Sequence, residues 1–180
     1  MKSLRSAWFL FLSGIIIIVV ILNKILCTPS KADKPVVNNG VVKNEWQAPD
    51  INQLPQTPEG GLVHYGRELI ANTAKYFGPK GIIAPISNGM NCQNCHIDAG
   101  ARPYGNCFSA VASMYPQFRP RSGIIESIEF RINDCMMRSM NGKIIDSNSK
   151  EMKAMVAYLK WIGKDVPPNT KPPGAGTEEL

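Results

Sequence analysis

The pentapeptide Cys92-Gln93-Asn94-Cys95-His96 has the C-x-x-C-H spacing of a c-type haem attachment site. Two thiols three residues apart can form thioethers with the two vinyl groups of one haem, and His96 then serves as the proximal iron ligand. A redox dithiol requires a β-α-β setting and a zinc site requires a further Cys/His pair, and the sequence indicates neither. We therefore predict one covalently bound haem c, held by Cys92, Cys95 and His96.

The ligand on the other face of the iron determines the reduction potential, which methionine raises and a thiolate lowers. Candidates occur in residues 134–140, far enough beyond His96 for a loop around the haem edge and a returning helix. Cys135 shares one face of the predicted helix with Ile128 and Ile132, so we expect its thiol to point inward. From the residues alone the distal ligand stays open between Cys135 and one of three methionines: Met136, Met137 and Met140.

Three helices, predicted by apolar residues at three- and four-residue spacing, must position these groups. They run from about Gly61 to Tyr76, from about Gly123 to Met136, and from Lys150 to Ile162. Ser149 is the expected N-cap of the third helix and Gly163 its stop. No segment alternates as a strand does, so the prediction is an all-α domain in which long loops cover a functional site.

These helices fit a cytochrome c-type domain, in which an N-terminal helix crosses a C-terminal helix at a small residue. Gly66 suits that crossing, with Tyr158 and Trp161 as aromatic partners on the third helix. Plain amphipathic packing would produce the same pattern without haem. The expected fold is a cytochrome c-type haem domain behind an N-terminal transmembrane helix.

An apolar N-terminal segment predicts where this domain resides. Residues 7–22 carry no charge, and beyond Lys24 the apolar sequence resumes as far as Cys27. With Lys24 snorkelling to the surface, residues 7–27 can span a bilayer. A cleaved signal is the alternative, but no small-residue cleavage site follows; Leu26 disfavours lipidation of Cys27. Basic residues before the span predict a single-pass protein of the cytoplasmic membrane, with its haem domain on the periplasmic side.

Composition sets the domain limits and excludes some function classes. We expect an anchor or signal over residues 1–27, a flexible linker over 28–60, the cytochrome c domain over 61–164 and a disordered tail over 165–180. An alternative for residues 41–46 is irregular coil that wraps the domain. The net charge of +6 is scattered along the chain, which argues against nucleic-acid binding, and five cysteines exclude a pure disulfide framework.

Two longer blocks make the sequence similar to a known family. They are Y-P-Q-F-R-P-R-S-G at residues 115–123 and R-I-N-D-C-M-M-R-S-M-N-G at residues 131–142. Together with C-Q-N-C-H-I-D-A-G at residues 92–100, they make residues 65–164 resemble the catalytic N-terminal haem domain of thiosulfate dehydrogenases. The likeness to the thiolate-ligated cytochrome of the thiosulfate-oxidising multienzyme complex is more distant.

The resemblance implies that Cys135 is the distal ligand and that an anion site lies beside it, formed by Ser139, Arg119 and Arg121. In that family two thiosulfates are joined to tetrathionate, and two electrons leave through haem. Guanidinium groups suit such a dianion, and a thiolate beside cations stays nucleophilic. Pairing with the haem propionates is the alternative for both arginines, whereas we expect Arg131 to form an ordinary salt bridge with Glu126, Glu129 or a neighbour.

The family has two haem domains, whereas this sequence contains one C-x-x-C-H. The first expectation is therefore a membrane-anchored monohaem cytochrome that transfers electrons in sulfur-compound oxidation to a redox-partner cytochrome or another acceptor. The alternative is a tetrathionate-forming thiosulfate dehydrogenase or another haem-dependent sulfur-compound oxidoreductase. An arginine-lined cavity above Cys135 would favour the enzyme, and a permanent sixth ligand with a charged rim would favour the carrier.

Overall fold

The computed structural model describes residues 45–177 of the chain. The expected membrane segment at residues 7–27 and the first part of the expected linker lie outside the described residues. Within the described range, no helix combines the length and the apolar character that crossing a membrane requires.

The first helix, α1 (Pro58–Ala71), begins where the sequence provides a cap. Thr57 Oγ1 accepts a hydrogen bond from the backbone N–H of Gly60 at 3.2 Å, and Pro58 occupies the first turn. Helix α2 (Thr73–Phe77) follows directly, after a break at Asn72, whose backbone leaves the helical region. The single helix predicted from Gly61 to Tyr76 is therefore two helices in the structure.

Three further helices complete the domain: α3 (Val111–Met114), α4 (Ile128–Arg138) and α5 (Lys150–Ile162). Helix α5 has the predicted bounds, because its Ser149 cap accepts a hydrogen bond from the N–H of Met152 and Gly163 ends it. Helix α4 starts later than predicted, where the side chain of Ser127 caps the N–H of Phe130.

A short antiparallel hairpin occupies the segment before α4, so the domain is mostly helical rather than all-α. Its strands are β1 (Gln117–Arg119) and β2 (Ile124–Glu126), with Phe118 opposite Ile125. The prediction of a helix from Gly123 was wrong, because Gly123 has a φ of +71° and forms part of the turn. Strands of three residues are too short to display an alternating pattern.

The crossing of α1 and α5 forms the centre of the core, as predicted. At Gly66 the backbones are so close that an added Cβ would overlap the carbonyl oxygen of Ala154 and lie 2.8 Å from Cβ of Tyr158. The Tyr158 ring stacks on Trp161 with centroids 6.1 Å apart, and its hydroxyl donates to the carbonyl of Ala99 at 3.0 Å. Tyr158 therefore connects the crossing to the segment that follows the C-x-x-C-H motif.

We expect Gly66→Ala to lower the free energy of unfolding by about 3 kcal/mol, since the added methyl meets backbone that no rotamer change can move. Gly61→Ala is the matched control in the same helix, because nothing lies within 4 Å of its added Cβ. The free energy of unfolding of the Gly61→Ala control should rise by about 0.5–1 kcal/mol, because alanine has a higher helix propensity than glycine. Denaturant unfolding of both haem-loaded variants tests this, and equal stabilities would contradict the close crossing.

Segments expected to be flexible pack against the domain. Trp46 is buried, and its backbone N–H donates to the carbonyl of Pro173 at 3.0 Å. Val166 is also buried, and the Ser113 hydroxyl donates to the carbonyl of Thr170 at 2.6 Å. Residues 45–60 and 165–177 therefore differ from the expected linker and disordered tail, because apolar anchors and backbone hydrogen bonds hold both segments to the domain.

Candidate haem site

One cavity brings together most of the residues that the sequence predicts for the site. Cys92, Cys95 and His96 line it from the attachment motif, and Cys135 lines it from α4. Its remaining wall is largely apolar and comes from α1, α3, α4, α5 and the loop before α3: Ile70, Phe108, Val111, Ile128, Ile132, Met155 and Leu159. An apolar cavity with two thiols and one imidazole at its edge suits a haem macrocycle.

Helix α2 holds the attachment motif in place. Cys92 begins a 3₁₀ turn, and its backbone N–H donates to the fully buried hydroxyl of Thr73 at 3.0 Å. Asn91 Oδ1 accepts from the N–H of Ala74 at 2.8 Å, which ties the turn to the same helix. Burial raises the pKa of Cys92, and contact with Thr73 partly opposes this. The cysteines at 92 and 95 carry free thiols, so both are available for thioether bonds.

The imidazole of His96 has the orientation and tautomer that an iron ligand needs. Its Nδ1 lies 2.6 Å from the carbonyl oxygen of Asn106, which can only accept, so Nδ1 carries the proton and Nε2 keeps a free lone pair. The ring packs against Phe108 with centroids 4.3 Å apart. Burial lowers the pKa of His96, which favours the neutral form that binds metals. The residues of this side therefore fit haem c.

Helix α4 supplies the candidate ligands of the opposite side. Cys135 is half-buried and lines the cavity, as do the buried Met136 and Met140. Met137, the third methionine predicted as an alternative, is 45% exposed and does not line the cavity. The pKa of the Cys135 thiol is raised, because burial and the negative charge of Asp134 outweigh the positive charges of Arg131 and Arg119, which lower it.

The predicted anion-binding residues are only partly brought together. Arg119 of β1 and Ser139, just after α4, line the cavity. Arg121 lies in the exposed turn of the hairpin and does not line it. The guanidinium Nε of Arg119 lies 3.8 Å from Glu126, whose Oε2 is buried and has no hydrogen-bond partner among the described residues. Glu126 therefore holds Arg119 by charge rather than by a hydrogen bond.

Arg131 also lines the cavity, although the sequence predicted only a salt bridge for it. Its NH1 donates to Asp134 at 2.6 Å, so the expected salt bridge forms, with a neighbour rather than with Glu126 or Glu129. The side chain nevertheless lines the cavity. The available signal was its position four residues before Cys135, which puts both side chains on one face of α4. Asp134 also pairs with Arg138, which does not line the cavity.

Comparison with known proteins identifies relatives of this domain. Residues 84–167 match the family described as SoxA/TsdA, cytochrome c domain. Thiosulfate dehydrogenase of Psychrobacter arcticus is 36% identical over 128 residues, covering 71% of this chain and 38% of the relative. That of Stutzerimonas stutzeri is 30% identical over 141 residues, covering 78% and 44%. The chain thus spans less than half the length of these relatives.

A solved structure shares the fold. The thiosulfate dehydrogenase (TsdBA) from Marichromatium purpuratum superposes with a TM-score of 0.68 at 24% identity, covering 76% of this chain and 30% of that one. At this identity the likeness supports the fold alone. The family match, by contrast, spans residues 84–167 and therefore includes every residue that lines the cavity except Ile70.

Proposed function

We propose that the cytochrome c domain of this chain, which binds haem c covalently and resembles the haem domain of thiosulfate dehydrogenases, oxidises thiosulfate or a related sulfur anion. The observation that carries the proposal is the cavity wall, where two guanidinium groups, of Arg119 and Arg131, stand beside the Cys135 thiol. In an electron carrier, arginines at this wall would instead pair with the haem propionates.

The residues predicted to hold the haem each receive a role in this proposal. Cys92 and Cys95 form the thioethers, His96 is the proximal ligand, and Cys135 is the distal ligand. Haem c supplies one-electron chemistry when bound. The free Nε2 of His96 supports its role, and the inward position of Cys135 on α4 supports the thiolate assignment.

The arginines bind and orient the anion. Thiosulfate is a dianion, and charge-assisted hydrogen bonds from guanidinium groups suit its oxygens. Arg131 can turn from Asp134 to an anion without leaving that carboxylate unpaired, because Arg138 remains in contact with it. The Ser139 hydroxyl adds a neutral donor at the same wall. Arg121 has no part in this binding site.

The reaction requires an external electron acceptor. Joining two thiosulfates forms one S–S bond and releases two electrons, without a change in the number of protons. These electrons pass to a redox-partner cytochrome or another acceptor of that class. Electron carriage without substrate oxidation is the second candidate, favoured by the buried Met136 and Met140, whose sulfurs could ligate iron permanently.

We expect Arg131→Ala to lower kcat/KM for thiosulfate by about 10- to 100-fold, the effect of losing one charge-assisted hydrogen bond. Arg138→Lys is the matched control, since it changes the other cation beside Asp134, keeps its positive charge and lies outside the cavity. Its activity should remain within about twofold, because Asp134 keeps a cationic partner when Arg131 turns to the anion. The assay uses purified haem-loaded protein, thiosulfate and an artificial electron acceptor.

Two outcomes of this assay would count against substrate oxidation. Equal losses in the two variants would show that the helix, rather than the cavity charge, had been damaged. Absence of turnover in the unaltered protein, together with no thiosulfate-induced change in its Soret band, would favour the electron carrier.

We also propose that residues 7–27 anchor the protein in the cytoplasmic membrane, with the haem domain outside. The support is the uncharged stretch 7–22 behind the basic residues Lys2 and Arg5. The intact mass of detergent-extracted, haem-loaded protein is expected to include this segment. A mature chain that starts near residue 28 would instead show that the segment is a cleaved signal.

A further inference from the structure

The C-terminal strap, defined as residues 170–177, runs along the proximal loop, defined as residues 103–107. Two backbone hydrogen bonds of 2.8 Å join them, from the N–H of Tyr104 to the carbonyl of Gly174 and from the N–H of Asn106 to that of Gly176. Gly105 and Thr177 form a β-bridge. The strap therefore pairs with the loop much as an added strand would.

The conformation of the proximal loop depends on outside support. Tyr104 and Asn106 have φ values of +57° and +56°, a region that side-chain-bearing residues seldom occupy. Such strained backbone persists where surrounding contacts over-determine it. The strap provides these contacts at both residues, and the thiol of Cys107 adds one more by donating to the carbonyl of Gly174 at 3.2 Å.

Asn106 links the strap to the haem site through its two backbone groups. Its N–H is held by Gly176, and its carbonyl oxygen accepts the Nδ1 proton of His96 at 2.6 Å. The peptide units on both sides of Asn106 are therefore fixed, one by the strap and the other by the imidazole. A displacement of the strap would move or rotate the acceptor on which the His96 tautomer depends.

We propose that the C-terminal strap is a positioning element for His96, which sets the strength of the hydrogen bond from Nδ1 and thereby the donor strength of Nε2. The proposal rests on His96 as the proximal ligand and is independent of substrate oxidation. A strong hydrogen bond makes the imidazole a better donor and favours ferric iron. Weakening the strap should therefore raise the reduction potential without changing any haem ligand.

Three glycines with positive φ provide a matched test in the full-length, haem-loaded protein. Gly174→Ala and Gly176→Ala each introduce a side chain at a φ of +87° in the strap. Gly174→Ala also brings a Cβ to 2.9 Å from Pro103 of the proximal loop, whereas nothing lies within 4 Å of the added Cβ at Gly176. Gly123→Ala is the control, with a φ of +71°, no neighbour within 4 Å and a position in the hairpin turn.

The readouts are the reduction potential and the exchange rate of the His96 Nδ1 proton, measured by NMR in the ferrous state. Both strap variants should show a positive shift in potential, larger for Gly174→Ala, and exchange about fivefold faster, as for the loss of one net hydrogen bond. Gly123→Ala should leave both readouts unchanged.

The proposal is overturned if the strap variants lose stability as Gly123→Ala does but keep the original potential and exchange rate, since the strap would then be only structural. If Gly174→Ala fails to retain haem, the reduction potential and the Nδ1 proton exchange rate of Gly176→Ala test the proposal instead. Thiosulfate turnover enters none of these measurements, so failure of the proposed substrate oxidation would not be mistaken for failure of this inference.

Discussion

Replacing Cys92 and Cys95 together by alanine is expected to abolish covalent haem completely. The two thiols line the cavity as free groups and are the predicted thioether donors. Without them, haem is held only by non-covalent contacts and leaves the denatured chain. A denaturing gel stained for haem peroxidase activity should show a band for the unaltered protein and none for the double variant.

Cys107→Ala is the control for this experiment. Its thiol is also free and also lines the cavity, but it lies outside the C-x-x-C-H motif and contacts Ser109 and Gly174 instead. This variant should keep its stained band. A band that persists in the Cys92/Cys95 variant would show that the attachment motif had been misidentified.

Cys135→Ala is expected to produce the second large change, in the spectrum and the potential of the iron. Loss of the proposed Cys135 ligand either leaves the distal site free or transfers it to Met136 or Met140, both of which line the cavity. Methionine in place of a negatively charged ligand raises the reduction potential. Turnover with thiosulfate should fall by at least about 100-fold, since even outer-shell partners of metal ligands contribute 10- to 100-fold.

Ferric electron paramagnetic resonance and potentiometry distinguish these states. Met137→Ala is the control on the same helix, because the Met137 side chain is exposed and lies outside the cavity; it should leave the spectrum and the potential unchanged. A His/Met signature in the unaltered protein that survives Cys135→Ala would exclude thiolate ligation. The electron carrier would then be the better description of the domain.

Local sequence signals predicted those parts of the fold that depend on neighbouring residues. Helix α5 has its predicted bounds because Ser149 and Gly163 act on the adjacent turns. The β1–β2 hairpin was missed because strands of three residues display no period, and the apolar residues that follow Gly123 continue smoothly into α4. The tail composition suggested disorder, whereas its hydrogen-bond partners lie on a loop distant in sequence.

The candidate site also contains some residues that the sequence predicts and others whose position depends on tertiary contacts. The residues of C-x-x-C-H and Cys135 could be predicted from spacing, helical periodicity and family resemblance, and the structure brings them to one cavity. The position of Arg121 could not be predicted, because it depends on the hairpin turn, which carries this residue into solvent. Arg131 could have been predicted from its place four residues before Cys135 on α4. The orientation of the hairpin turn depends on tertiary packing, which the local sequence pattern around Arg121 does not reveal.

The crossing of α1 and α5 also determines how the site can be lost. The hydrogen bond from Tyr65 to Glu151 joins residues 86 positions apart, and the attachment motif, the hairpin and α4 all lie between them. Closing a flexible loop of this length costs about 4 kcal/mol of chain entropy before any contact within it forms. Because one closure carries the whole site, separating the two helices returns every ligand to an open chain at once. Local fraying can release the ends of the domain without loss of the site, whereas separation of α1 and α5 is expected to release the cavity walls together.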